Sequence, residues 1–332
     1  MLLVYLMVFN LLVNSQANKI VDFAEQAADF VEQWIKFQLD YAKNYTKQES
    51  LFRFAIFKQN LKRIEKHNTK FLQGLMTFKI GLNQFGDLTK EEFIQTLTAN
   101  PSNLVSKRSI NESHRTIRQV PEYFDWREQS AVGSVKNQGN CGSCWSFSAI
   151  GALESQVYLK TGKMVSLSEQ NLIDCAKDNI NHGCQGGWMA NAFEYLKNNY
   201  VTSDSEYSYV GVQQQCQINE RQTKISIRGY QRVQGNEQVL KEAVATIGPI
   251  TAAMDASNLQ FYSNGVYRDD ECSPNYVNHG VLIVGYGNEA GRDYWLIKNS
   301  WGSSWGENGY FKIIRNRGNQ CNLASYTMYP IL

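Results

Sequence analysis

Histidine is scarce in this chain. His67, His114, His182 and His279 are scattered through 332 residues and no His, Cys and carboxylate cluster at ligand spacing stands out, so no metal and no cofactor are expected. His182, beside Gly183-Cys184, reads as a surface loop residue. Basic blocks are missing too. The formal net charge is only +2, which removes nucleic acid as an expected partner. The first third is basic and the remainder mildly acidic, a complementarity that would help the two parts associate, weakly and with screening by salt. Long apolar runs are confined to the N-terminus, where Leu2 to Phe9 and Leu11-Leu12-Val13 are interrupted by Asn10. That run lacks a preceding positive charge and is short for a membrane span, and the small residues Ser15 and Ala17 follow it. It reads as a signal peptide over residues 1–17, with a membrane anchor as the alternative. No cysteine precedes Cys141, and an odd total of seven leaves one thiol over on a secretory route. Bridges among the rest imply an oxidising compartment.

What is present suffices for a sizeable core: 43% of residues are apolar and 12% aromatic. The most informative stretch is Gln138-Gly139-Asn140-Cys141-Gly142-Ser143-Cys144-Trp145. After it, Trp145, Phe147, Ala149, Ile150, Ala152, Leu153 and Val157 recur at helical spacing, with Ser143 as N-cap and Gly162 as stop. Cys144 then sits in the first turn, where unpaired N–H groups and the helix dipole favour a thiolate. Gln138 offers a neutral donor to a developing oxyanion. Taken alone, Cys144 is better read as a buried or disulfide-bonded cysteine.

Two later stretches move that balance. Asn278-His279-Gly280 leads into Val281-Leu282-Ile283-Val284, and Asp293 to Lys298 ends at Asn299-Ser300-Trp301-Gly302. Both read as buried strands with a polar group at one end. A thiol nucleophile needs an imidazole base, and Asn299 can fix the tautomer of His279 as a neutral acceptor. Upstream, the pattern from Asp29 to about Asn68 is helical, first around Phe30, Trp34, Phe37 and Tyr41. In its second segment Glu49, Arg53, Ile56, Phe57, Asn60, Ile64 and Asn68 share one face, which alone describes an ordinary amphipathic core helix. Gly81-Leu82-Asn83-Gln84-Phe85-Gly86-Asp87 follows, and residues 98–119 lose periodicity and read as a solvated connector.

On these residues the chain resembles the papain-like cysteine peptidases of the cathepsin L type. The Cys144 stretch, His279 and Asn299 carry the catalytic resemblance. The interrupted Glu-Arg-Ile-Phe-Asn-Ile-Asn pattern and the Gly81–Asp87 motif carry that of the inhibitory propeptide. The resemblance implies an α+β fold with a helical left lobe and a β-barrel-like right lobe, preceded by a helical propeptide. It places the propeptide over 18–119 and the mature domain over 120–332, starting near Val120-Pro121. It also implies bridges Cys141 to Cys184, Cys175 to Cys216 and Cys272 to Cys321, leaving Cys144 as the nucleophile. Trp301 resembles the indole that covers the Asn–His bond, although plain core packing would also account for it.

Pattern agrees with two lobes. Ser166-Leu167-Ser168-Glu169 reads as a capping box opening a helix to about Cys175, and a further helix runs from Trp188 to about Asn198. Strands are expected at 225–233, 250–254, 281–286, 293–298 and 309–314, with one helix from about Asn236 to Ile247. The active site is then the cleft between the lobes.

By the same resemblance Gly186 and Gly187 line the groove for an extended peptide, glycine permitting close approach. Trp188, Met189, Ala253, Val277, Asn278 and Tyr326 correspond to the S2 pocket. Trp188 and Tyr326 stand where cathepsin L has Leu and Ala, so a shallower pocket is expected, preferring Val or Leu over Phe at P2 and disfavouring Arg. No His-rich insertion follows Cys184, as in cathepsin B, and no cysteine precedes Cys141 to tether a remnant, as in cathepsin H, which favours an endopeptidase. Expected partners are protein or peptide substrates, the chain's own propeptide and cystatin-type inhibitors, with no membrane partner and a monomeric state. Lysosomal and secreted digestive use stay equally open, as does glycosylation at the Asn44 and Asn111 sequons. A catalytically silent homologue is the competing reading, and such relatives usually lack the nucleophile.

Overall fold

A computed structural model of the chain describes residue 25 and residues 27–97, 119–218 and 223–332. The signal peptide, the Asn111 sequon, and nearly all of the connector lie outside them.

The N-terminal segment is built from two helices clasped by aromatic rings. Helix α1 (27–40) buries Trp34 and Phe37 against Phe57 of α2 (Lys47–Leu72), with Tyr41, Tyr45 and Phe54 around them, so this segment has a core of its own. Helix α2 is more than an amphipathic core helix, because its polar residues hold the backbone that follows. Asn60 donates from Nδ2 to the carbonyls of Gly86 (2.9 Å) and Leu88 (3.0 Å). Asn68 donates to Ile80 O at 2.8 Å and accepts from Ile80 N at 3.1 Å. Arg53 Nη1 reaches both carboxylate oxygens of Glu92, at 2.7 and 2.8 Å. Strand β1 (Phe78–Ile80) and helix α3 (Lys90–Gln95) are additions to the expected elements. The reciprocal capping box Thr89–Glu92 starts α3.

The remainder divides into a helical and a sheet lobe. After β2 (Phe124–Asp125), helix α4 (Cys144–Thr161) is buried along most of its length, with Gly162 at its C-cap. Helix α5 (Glu169–Cys175) is capped by Ser168, whose hydroxyl accepts from Asn171 N. The expected capping box from Ser166 to Glu169 therefore does not form: the helix begins two residues later, and Glu169 turns inward to Lys136 at 2.8 Å. Helix α6 (Met189–Asn198) completes this lobe. The sheet lobe comprises β3 (Gly229–Arg232), α7 (Glu237–Thr246), β4 (Ile250–Met254), β5 (Tyr262–Tyr267), β6 (His279–Glu289), β7 (Arg292–Lys298), β8 (Tyr310–Ile314) and β9 (Met328–Ile331). Strand β3 is shorter than the expected 225–233, since Ile225 forms only an isolated bridge to Val201. Strands β5 and β9 were not apparent from pattern.

The strand order is β1-β5-β8-β7-β6-β4-β9-β3, with β2 paired to β6. Strand β1 of the N-terminal segment thus lies antiparallel on the edge strand β5, Phe78 opposite Gly265. Among the described residues no ion pair joins that segment to the rest. It docks instead through strand pairing, amide hydrogen bonds and rings: Asn83 Nδ2 to Gln260 O at 2.8 Å, Thr77 Oγ1 to Val266 O at 2.6 Å, and Phe78 against Tyr267 at 4.8 Å.

Candidate active site

Helix α4 and strand β6 bring the backbone at Cys144 beside that following His279, from different lobes. Cys144 is the first residue of α4 and His279 the first of β6. One turn into the helix, Ser148 Oγ donates to Val281 O at 2.6 Å, locking the two elements in register. Between these residues Gly280 is pressed on the start of the helix, where a Cβ would come 3.0 Å from the carbonyl oxygen of Cys144. Any larger residue after His279 would separate the lobes at this point. Cys144 is buried and is the one cysteine outside the bridges Cys141–Cys184, Cys175–Cys216 and Cys272–Cys321.

His279 Nε2 lies 2.8 Å from Asn299 Oδ1. A carbonyl oxygen only accepts, so Nε2 carries the proton and Nδ1 keeps its lone pair. Ser300 N donates to the same Oδ1 at 2.8 Å and fixes the amide's direction. The indole of Trp301 covers the imidazole with centroids 4.7 Å apart. Burial pushes the imidazole pKa down, to about 4, against the opposing bond to Asn299. Phe85 and Phe93 of the N-terminal segment stand edge-on to Trp301, both at 5.5 Å, and Gln84 Nε2 donates to Trp301 O at 2.7 Å. The segment thus covers the indole that covers the histidine.

Gln138 is 1% exposed and fixed at both ends of its amide. Oε1 accepts from Ser300 Oγ at 2.6 Å and Nε2 donates to Cys141 O at 3.0 Å, leaving the second amide hydrogen of Nε2 for another acceptor. Ser300 was not singled out from sequence, although its place beside Asn299 is the signal that could have found it.

A second group missed from sequence lies behind the site. Lys136 Nζ contacts Glu154 Oε1 at 3.1 Å and Glu169 Oε1 at 2.8 Å, and all three, with Lys298 and Asn299, line a water-sized cavity of about 20 Å³. Burial and the neighbouring Glu154 push the Glu169 carboxyl up, to about 7, although Lys136 opposes this. Burial pushes the ammonium of Lys298 down. Such residues are scattered in sequence and gave no motif.

The expected groove residues fall into two groups. Gly186 takes φ 119°, a conformation that needs glycine. A Cβ on Gly187 would meet the Trp145 ring and Asn181 Oδ1, both at 2.6 Å, so internal packing already requires this glycine. Trp188, Met189, Ala253 and Val277 share one apolar cluster, and Tyr326 packs against it. The Trp188 and Tyr326 rings meet edge-on at 5.3 Å. Asn278 differs: its Oδ1 accepts from Ala256 N at 2.8 Å and its Nδ2 donates to Ser257 Oγ at 2.9 Å, so the amide holds the 255–257 turn.

A thiol and a His–Asn pair set on two lobes, beneath a separately folded segment of the same chain, describe a cysteine peptidase kept as its own precursor. A family model described as papain family cysteine protease matches residues 120–331, and one described as cathepsin propeptide inhibitor domain (I29) matches residues 34–93. The chain belongs to the papain family of cysteine proteases and is a cathepsin L-like proenzyme. Cathepsin L of Sarcophaga peregrina is 44% identical over 315 residues, covering 90% of this chain and 92% of that one. Digestive cysteine proteinase 3 of Homarus americanus is 46% identical over 303 residues, covering 90% and 94%. Among solved structures, digestive procathepsin L 3 from the larval midgut of Tenebrio molitor superposes with a TM-score of 0.84 at 43% identity, covering 91% of this chain and 99% of that one. The propeptide acts as intramolecular inhibitor of a peptide hydrolase.

Proposed function

We propose that Cys144, His279, Asn299 and Gln138 are the catalytic residues. Cys144 gives its thiol proton to His279 Nδ1, attacks the peptide carbonyl as a thiolate and forms a tetrahedral intermediate whose oxyanion is held by the Gln138 amide and the Cys144 N–H. His279 Nδ1 gives its proton to the leaving amine, and the thioester acyl-enzyme remains. His279 then takes a proton from water, hydroxide attacks the thioester, and the acid and the thiolate are released. Trp301 keeps water off the Asn299–His279 bond. The observation that carries this reading is the 2.8 Å bond from His279 to Asn299 on a strand seated against the first residue of α4. Its test is acid processing followed by an irreversible epoxide inhibitor and peptide mass mapping. Label on Cys144 with equal loss of peptide hydrolysis supports it; a folded, processed protein that takes no label overturns it.

The division into signal peptide 1–17, propeptide 18–119 and mature domain 120–332 is part of the proposal. So are endopeptidase action, a monomeric state, recognition by cystatin-type inhibitors, and a lysosomal or digestive luminal site. Gly186 and Gly187 would line the peptide groove and Trp188, Met189, Ala253, Val277 and Tyr326 the S2 pocket, with Asn278 contributing through its backbone. The edge-on pair of Trp188 and Tyr326 supports a shallow pocket preferring Val or Leu at P2. The propeptide's carboxylates pair inside the propeptide, Asp87 with Lys43 and Tyr45, Glu49 and Glu92 with Arg53, and acid loosens it through Glu92, whose pKa, against burial, is lowered by the bonds from Arg53 and Thr89. Processing that ran equally fast at about pH 7 and about pH 4.5 would count against that mechanism.

A further inference from the structure

Tyr209 lies outside every motif considered above, yet its hydroxyl touches both ends of the loop that carries the oxyanion donors. The hydroxyl is 2.6 Å from the backbone carbonyl of Gln138 and 2.9 Å from Ser143 Oγ. The carbonyl can only accept, so the single phenolic proton goes to Gln138 O, and the hydroxyl must accept from Ser143. Gln138 and Ser143 are the residues at either end of this loop, and Ser143 directly precedes Cys144. The tyrosine therefore spans the two proposed donors, holding the backbone that bears the Gln138 amide at one end and the peptide that bears the Cys144 N–H at the other.

The surroundings fix the phenol from the other side. Its ring stands edge-on to Phe147, one turn into α4, at 5.1 Å. The next residue, Val210, is tied by its N–H to Gln170 Oε1 at 3.0 Å, and Gly211 O lies 3.8 Å from Cys184 Sγ of the Cys141–Cys184 bridge. Burial pushes the phenol pKa up to about 12, so the hydroxyl stays protonated across the working range of a thiol peptidase. Ser143, at the N-cap position of α4, makes no side-chain capping bond, so its hydroxyl serves the tyrosine instead of the helix.

We infer that Tyr209 is a positioning residue for the oxyanion hole, acting through the Gln138 carbonyl and Ser143 to set the spacing between the Gln138 amide and the Cys144 N–H. This rests on the catalytic roles proposed above. Two donors stabilise one oxyanion only if their separation is held within a few tenths of an ångström, and a donor loosened from its place loses part of the hundredfold or more that such a group contributes.

The test uses Tyr209→Phe, which keeps the ring on Phe147 and removes the hydroxyl, with Ser143→Ala as a second variant that removes the other arm. Both are expressed as the full proenzyme, processed and normalised by active-site titration. Hydrolysis of a peptidyl anilide is compared with alkylation of Cys144 by iodoacetamide, a displacement that builds no oxyanion. The expected result for Tyr209→Phe is a fall in kcat of about tenfold, with KM and the alkylation rate within twofold of wild type. Ser143→Ala should show the same split with a smaller fall. An unchanged kcat in the variants, or kcat and alkylation falling together, overturns the inference. Failure of the wild-type protein to hydrolyse or alkylate would instead remove the catalytic reading beneath it.

Discussion

The indole of Trp301 lies over the imidazole of His279, centroids 4.7 Å apart and planes inclined by 31°. Its other faces meet Trp305 at 4.8 Å and the propeptide rings Phe85 and Phe93 at 5.5 Å. The environment of the histidine is therefore set jointly by the mature lobe and the propeptide. Removal of the propeptide exposes this indole, and a red shift in tryptophan emission should accompany processing. Emission unchanged by processing would contradict that exposure.

In the proposed mechanism Asn299 contributes by fixing the tautomer that leaves Nδ1 free as a base. Asn299→Ala should lower kcat/KM by about a hundredfold, while the proenzyme remains folded by circular dichroism. A loss within threefold would mean that Trp301 and burial suffice to orient the ring.

Acid dependence is expected from the Arg53–Glu92 pair. Burial opposes ionisation of Glu92, but hydrogen bonds from Arg53 and from Thr89 N outweigh it, and the pKa is lowered. A lowered carboxylate stabilises the fold above its unfolded value, about 4.3, and the contribution is lost as pH falls through the lower folded value. Glu92→Gln lacks the pair at every pH, so its proenzyme should process at about pH 5.5 as readily as wild type does near pH 4. Identical pH profiles for the two would remove Glu92 from the acid response.

Glu169 should act in the opposite sense. With its pKa raised to about 7 by burial and by Glu154, it binds a proton in the folded state that the unfolded chain has released. The associated stability is present below about pH 4.3 and is lost as pH rises toward 7. Thermal unfolding of a Cys144→Ala proenzyme, which cannot process itself, should show a midpoint falling between these values. The added change Glu169→Gln should flatten that fall. A slope untouched by Glu169→Gln would assign it to other groups.

In the proposed S2 region, opening the pair Trp188 and Tyr326 should admit a larger side chain. The double variant Trp188→Leu, Tyr326→Ala should raise kcat/KM for Phe at P2 relative to Val by about tenfold or more, measured with paired peptide substrates. An unchanged ratio would place the specificity elsewhere.

The sequence alone determined the parts whose signals are local. Cys144 at a helix start, the apolar strands leading from His279 and into Asn299, the α2 periodicity and the helix from about Asn236 are read from neighbours a few residues apart. The capping box expected from Ser166 to Glu169 gives way to a cap at Ser168, because Glu169 turns inward to Lys136. Strand β1 is three residues long and acquires its identity only from the free edge of β5, to which no pattern in residues 78–80 points. By resemblance the glycine at 187 makes room for a substrate, while packing against Trp145 already demands it. Ser300, Tyr209 and the charges at Lys136, Glu154, Glu169 and Lys298 gain their roles from partners far along the chain. A hydrogen bond such as that from Ser300 to Gln138, 162 residues apart, is a property of the folded surface and leaves no periodicity in the chain that forms it.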